Sequence, residues 1–496
     1  MTGSIVDIEP AGEDPRSKDN RFTGVLQRRQ RREPLGSVGF VLGLAFTTLL
    51  LLPGRLVFPP IGAEGRPATM LGFGLFAWWC LMKLVPRFAP RNRQPLRIAL
   101  WILLGTLLLS WLAGLDRGPL PIETSAMDRT MLARLALIGL ALVIADGVRS
   151  RHTLDRLLVV LSYCGGIMGF IALLQFGFDY DIVPMLKFPP LEFNADLIGS
   201  RERGAGTRVT STAGHSIELG VVAAMILPVA GHYAMRAATN NQRFFRWVAT
   251  VLIAASIPFS GSRAGYVGFA VVIITMMWTW NTRTRANVGA LILAGVVALQ
   301  ALTPGLLGTV RWLFLNLGVD DSATARVSDY EIVFDYIAAR PILGRGPGTW
   351  LPEEYIVLDN EWLYTAVTLG IVGVVAIVGV ILVALIQAGW VAHHGSTNET
   401  RHLAQALKAS VLVGAITSAT FDALAFATFS GVWFIMFGMV AALWRIEQDG
   451  TDADIDPAVE TDFSQVLVSR RLTDPSKARP SMLQSMSDWT EARASR

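Results

Sequence analysis

The chain has 496 residues, 52% of them hydrophobic and only 17% charged. Soluble domains carry roughly 25% charged residues, which excludes an ordinary water-soluble enzyme, and the deficit deepens inward: residues 1–34 and 446–496 hold 29 of the 82 charges, leaving 53 for the 411 residues between. The net charge of +4 does not come from a basic, aromatic-interleaved face that would hold nucleic acid, and two cysteines inside separate apolar stretches, Cys80 and Cys164, make no disulfide framework.

Residues 1–34 are polar and mixed in charge and read as a disordered cytoplasmic tail. Arg28, Arg29, Arg31 and Arg32 then act as a topology determinant, and the first apolar run is expected to remain as a membrane anchor. Apolar runs follow near 36–52, 68–86, 97–115, 131–148, 156–176, 216–235, 246–260, 264–281, 287–303, 362–389, 404–421 and 423–444. They lack period-2 alternation, and in lipid only helices and closed barrels satisfy their own backbone. The expected fold is an all-α polytopic membrane protein spanning residues 35–445 with about twelve transmembrane helices. Residues 446–496 read as a second disordered cytoplasmic tail.

Arginine and lysine set the orientation. With the N-terminus inside, the cytoplasmic connections of residues 35–445 carry 16 basic residues, from Lys83 to Arg445, against the acids Asp146, Asp155 and Glu399. Both termini are therefore expected in the cytoplasm. Two extracytoplasmic segments, about 177–215 and 304–361, are too long for plain connectors and are expected to be functional. In the second, Tyr330, Val333, Phe334 and Ile337 recur at helical spacing until Pro341, and Gly344, Gly346, Pro347 and Gly348 force a turn. This predicts a helix on the outer surface, before span 10.

Charges at the outer boundary are the candidate chemistry. Arg263, in the tight hairpin Ser260-Gly261-Ser262-Arg263-Ala264-Gly265, either snorkels to headgroups or binds an anion in a cavity. Arg208 opens a polar stretch, with Thr210, Ser211, Thr212, His215, Ser216 and Glu218, that leads into span 6. Ser211 or Thr212 suits a helix cap, and Glu218, one turn into a span, is costly unless it faces a cavity or a cation. Asp359-Asn360, followed by Gly370 and Gly373, stands at the mouth of span 10. Two readings are open there: Asp359 as a general base, or Asp359 or Asn360 as the cap of that span. The glycine spacing predicts close approach of another helix. The six histidines show no metal-ligand spacing with Cys or acids.

Taken together, Arg208 with Thr210 to Glu218, Ser262-Arg263-Ala264-Gly265, Arg326 four residues before Tyr330, Arg340-Pro341 with Gly344, Gly346 and Gly348, and Asp359-Asn360 with Gly370 and Gly373 resemble the O-antigen ligase and Wzy-type O-antigen polymerase family over about 195–390. The resemblance implies an inverting glycosyltransferase that needs no metal or other cofactor, in the bacterial plasma membrane. It would transfer a polyprenyl-pyrophosphate-linked glycan to an acceptor glycan, lipid or protein in cell-surface polysaccharide or glycoconjugate assembly. It implies that Arg263 and Arg326 engage the pyrophosphate, with Arg208 where another such arginine is found. Asp359 stands where family ligases carry a histidine, so it, or His215, takes over the proton. His215, Glu218, Tyr330, Arg340 and Asn360 are then expected to line the substrate site. The other reading is a transporter or flippase of lipid-linked or anionic substrates, in which the same arginines bind and do not catalyse.

Overall fold

The computed structural model describes residues 38–85, 94–194, 208–302, 330, 332–352 and 354–450. The chain divides into two units. One combines residues 1–40 and 462–496, of which only 38–40 are described, as the first turn of a helix; the predicted tail 1–34 and residues 451–496 of the second lie outside the described residues, whereas residues 446–449, read from sequence as the start of that second tail, continue the last helix. The other, Val41–Thr461, contains everything that follows.

Its described residues are mostly helical. In chain order the helices are α1 (Val38–Leu51), α2 (Pro67–Lys83), α3 (Pro95–Asp116), α4 (Pro121–Gly147), α5 (Arg151–Gly177), α6 (Ser216–Met235), α7 (Asn240–Ser260), α8 (Arg263–Met277), α9 (Thr282–Leu302), α10 (Glu361–His394), α11 (Asn398–Thr417) and α12 (Ala427–Asp449). A helix overlaps every one of the apolar runs. Six of them, α3 to α6, α10 and α12, are long and apolar enough to cross a membrane, and α1 and α8 are shorter apolar helices. Helix α12 is buried on nearly all sides, as a helix apolar around its whole circumference must be, and it packs against α4, α10 and α11.

Several boundaries differ from the sequence reading by four residues or more, and two of them bear on the site. Helix α4 starts ten residues earlier than its apolar run, at Pro121, with Glu123 reaching back to accept the Leu120 amide at 3.0 Å. Residues 423–425 are a separate 3-10 turn, and α12 begins only at Ala427.

At the ends of α2, α3, α4 and α12 that bear the topology-setting bases, Lys83 and Arg97 lie 3.4 and 3.0 Å from Asp146, and Arg445 donates to the Asp146 and Val148 carbonyls. At the other end, Leu56 and Val57 pair antiparallel with Phe193 and Glu192, fastening the segment after α1 to the loop after α5.

Residues 332–339 form the expected helix. Val333 is its buried contact, in a cluster with Trp350, Leu358 and Val367, whereas Phe334 faces outward. The turn that follows is built into the bundle. Helix α10 is broken at Gly370, whose φ of 68° is left-handed, and residues 341–346 run along the break. Arg345 and Gly346 donate to the Val367 and Thr368 carbonyls, and Ile371 and Val372 donate to the Pro341 and Ile342 carbonyls. A helix interrupted inside a bundle must have its freed backbone groups satisfied by protein, and this loop does so. A Cβ on Gly370 would lie 2.2 Å from the Ile342 oxygen. The glycine therefore serves the close approach of a loop backbone, not of the second helix that its spacing predicted.

Candidate functional site

The C-terminal end of α1 and the N-termini of α6, α8, α10 and α12 meet at the end away from Asp146. Each helix N-terminus carries the positive end of its dipole, which favours nearby negative charge. Each is capped. His215 Nδ1 accepts the Ile217 amide of α6 at 3.1 Å, and Ser262 Oγ accepts the Gly265 amide of α8 at 3.4 Å. Asn360 Oδ1 accepts the Trp362 and Leu363 amides of α10 at 3.0 and 3.4 Å. Glu218 caps α12: Oε1 accepts the Thr428 and Phe429 amides at 2.6 and 3.1 Å, while Oε2 accepts Gly214 at 2.8 Å.

These contacts sort the candidate residues. Of the two readings at the mouth of α10, the capping role falls to Asn360. Glu218 is buried against three backbone amides and so joins α6 to α12, rather than facing a cavity or a cation. Ser211 and Thr212 do not cap α6. They donate to the Met168 and Leu50 carbonyls and so anchor the polar stretch to α5 and α1.

The arginines gather around this frame. Arg208 lays its stem beside Gly261, two residues before Arg263 at the start of α8. The glycines let α8 stand close to α6, since a Cβ on Gly265 would lie 3.1 Å from the Gly220 Cα. Arg55, just past α1, donates to the Gly214 carbonyl at 3.0 Å. Arg55 carries no motif in the sequence, although in the expected topology it falls on the same side as Arg208 and Arg263. His215 is in electrostatic range of Glu218, Arg208, Arg55 and Asp359. Burial, with Arg208 and Arg55, holds its pKa below the ordinary histidine value. With Nδ1 accepting an amide, the neutral ring carries its proton on Nε2 and acts as a donor.

Three other predicted residues are placed differently. Arg340 donates to the Ala113 carbonyl at 3.3 Å, tying the loop to the end of α3. Tyr330 stands half-buried at the start of the outer helical segment, and among the described residues it makes no hydrogen bond to this group. Arg326 lies outside the described residues. The neighbouring Arg345, unassigned by sequence, lies about 5 Å from the Tyr336 and Tyr355 rings and donates to the Tyr355 hydroxyl at 2.6 Å. Tyr355 in turn donates to Glu123, which pairs with Arg117 at 2.8 Å. This cluster staples the outer segment to α3 and α4.

A second polar group lies beyond the mouth of α10. Glu361 donates its backbone amide to the Ser418 and Phe421 carbonyls, and its side chain accepts the Leu424 amide at 2.8 Å. This holds the α11–α12 hairpin and its Asp422 against α10. Burial, then Glu361 and Asp359, pushes the Asp422 pKa up to about 7.

Residues 248–378 match a family model described as O-antigen ligase. This stretch, about a quarter of the chain, is similar to the O-antigen ligase family. The matched stretch runs from α7 into α10 and so includes Arg263, Arg326, Tyr330, Arg340, Asp359 and Asn360, with Arg208, His215 and Glu218 ahead of it. No curated protein matches the chain. The O-antigen ligase family implies a glycosyltransferase-like activity in a membrane, on lipid-linked glycans and their acceptors.

Proposed function

We propose that this protein transfers a glycan from a polyprenyl-pyrophosphate donor to an acceptor hydroxyl on the extracytoplasmic face of the bacterial plasma membrane. The twelve helices then cross with both ends of the chain in the cytoplasm. The observation that carries this reading is the gathering of Arg55, Arg208 and Arg263 with four helix N-termini beside Asp359, in a chain with a stretch similar to the O-antigen ligase family.

The chemistry follows from the leaving group. Departing pyrophosphate gains negative charge as its bond to sugar C1 breaks. Guanidinium forks aimed at its oxygens stabilise that charge most in the transition state, without a metal. Arg263, at the tip of α8, and Arg208 beside it are assigned to the pyrophosphate. Arg326 joins them, as the family resemblance implies. Asp359 accepts the acceptor hydroxyl's proton as the new C1–O bond forms. Attack from the face opposite the pyrophosphate inverts C1. Neutral His215 acts as a donor to substrate oxygens. Glu218 and Asn360 hold the frame, and Arg340 and Tyr330 position the outer segment.

A deletion strain complemented with wild type, Arg263→Ala or Arg208→Ala tests the reading. Loss of surface glycan with the alanine variants present in the membrane at normal level is expected, and full restoration by both variants contradicts it. The same profile separates subtypes: shortened chains identify a polymerase, whereas full-length chains stranded on the carrier lipid identify a ligase.

A further inference from the structure

Helices α2, α4, α10 and α12, with the end of α1 and the turns at 59–65 and 423–425, enclose a cavity of about 280 Å³ that no step above uses. At roughly 30 Å³ per water it holds about nine waters, the bulk of one sugar ring with its hydroxyls. Glu64, Arg66, Arg134, Glu361, Tyr364 and Asp422 line its polar part. The guanidiniums are fixed, Arg66 donating to the Gly54 carbonyl at 2.9 Å and Arg134 to the Leu424 carbonyl at 2.8 Å. Among the described residues, the Glu64 carboxyl and the Tyr364 hydroxyl make no hydrogen bond within the protein, and the Asp422 carboxyl accepts only its own backbone amide. Burial raises the pKa of both carboxyls. Polar groups held this way take their partners from what fills the space.

The charges select the occupant. With three acidic side chains beside two guanidiniums that are already bonded to carbonyls, the cavity suits a neutral polar molecule better than a phosphate. A polyhydroxylated ring fits, because its hydroxyls donate to carboxylates, accept from guanidiniums and do both with Tyr364. The cavity also adjoins the reacting centre. Glu361 is two residues from Asp359, and Asp359 is close enough to Asp422 to raise its pKa. The wall residue Arg66 holds Gly54, next to Arg55 of the arginine group.

We propose that this cavity is the acceptor subsite and seats one neutral sugar ring of the acceptor, with a hydroxyl presented to Asp359. The assignment rests on the transferase reading, and its test has a readout independent of turnover. Ala68, on the cavity wall, is changed to cysteine in full-length protein carrying Cys80→Ala and Cys164→Ala. The rate of maleimide labelling is then followed with glucose, galactose, mannose or N-acetylglucosamine, or with inorganic pyrophosphate. At least one of the sugars slows labelling several-fold, pyrophosphate does not, and adding Asp422→Asn removes the protection. Protection by pyrophosphate alone, or by none of the sugars, overturns the proposal.

In transfer assays Glu64→Gln raises the acceptor KM roughly three- to tenfold, the worth of one lost hydrogen bond, with kcat and donor affinity unchanged. A fall in kcat at unchanged KM also overturns it. Sugar protection in a protein that fails to transfer glycan would remove the transferase reading and leave the sugar cavity standing. Transfer without protection does the reverse.

Discussion

Replacing Glu218 by Gln separates a structural carboxylate from a substrate contact. Its Oε1 takes two amides at the start of α12, and Oε2 takes Gly214 at 2.8 Å. A glutamine keeps the first pair through its carbonyl oxygen but turns an NH2 towards the Gly214 N–H, donor against donor. The variant loses one charge-assisted bond, worth about 1.5–3 kcal/mol, and the charge–dipole attraction at the α12 N-terminus, worth about 0.3–2 kcal/mol. A loss of roughly 2–4 kcal/mol is expected, on the order of 5 °C in the apparent Tm of a large domain. Thermal unfolding of the detergent-solubilised protein measures it, alongside donor and acceptor KM in the folded fraction. A variant that melts with wild type but has lost substrate affinity refutes the cap and makes Glu218 a substrate ligand.

Three further outcomes are expected. Gly370→Ala prevents folding, because the backbone is at φ 68° and a Cβ would strike the Ile342 carbonyl, while Gly379→Ala, with open space around it, leaves folding intact. Size-exclusion profiles compare the two, and equal profiles refute the loop clamp. Asp422 holds its proton more tightly folded than unfolded, its pKa being raised from 3.8 to about 7. This group's contribution is therefore complete below pH 4 and is lost as pH rises through 7. Asp422→Asn should be more stable than wild type at pH 8, by up to a few kcal/mol, and so melt at higher temperature, with the gap closing near pH 4; parallel melting at both pH values refutes it. Arg345→Ala breaks the links to Tyr355 and Glu123, and limited proteolysis should cut residues 340–358 faster than in wild type.

The helices were legible because a buried apolar run of span length has few alternatives. The start of α4 was not, since residues 121–130 include Glu123, Asp128 and Arg129 and fall outside the apolar run, although the helix continues through them. Arg208, Arg263 and the Asp359-Asn360 pair stand out in the sequence by their ordered spacing and, for the arginines, by falling on the outer side of the expected topology. Their division of labour needed geometry: only amide directions tell that Asn360 caps α10 and that His215 and Glu218 cap their own and a neighbouring helix. Arg55 and Asp422 carry no motif and lie just beyond apolar runs, so only the fold brings them to the site. Gly370 announced a close approach, but a sequence does not say which backbone arrives.

Purified full-length protein in detergent, supplied with a polyprenyl-pyrophosphate-linked glycan and its acceptor, tests the central claim most directly. Wild type is predicted to move the glycan to the acceptor, with no membrane to cross, and Arg263→Ala to form no product while melting like wild type. Undiminished transfer by Arg263→Ala, or no transfer by active wild-type preparations that still restore surface glycan in cells, would contradict the account.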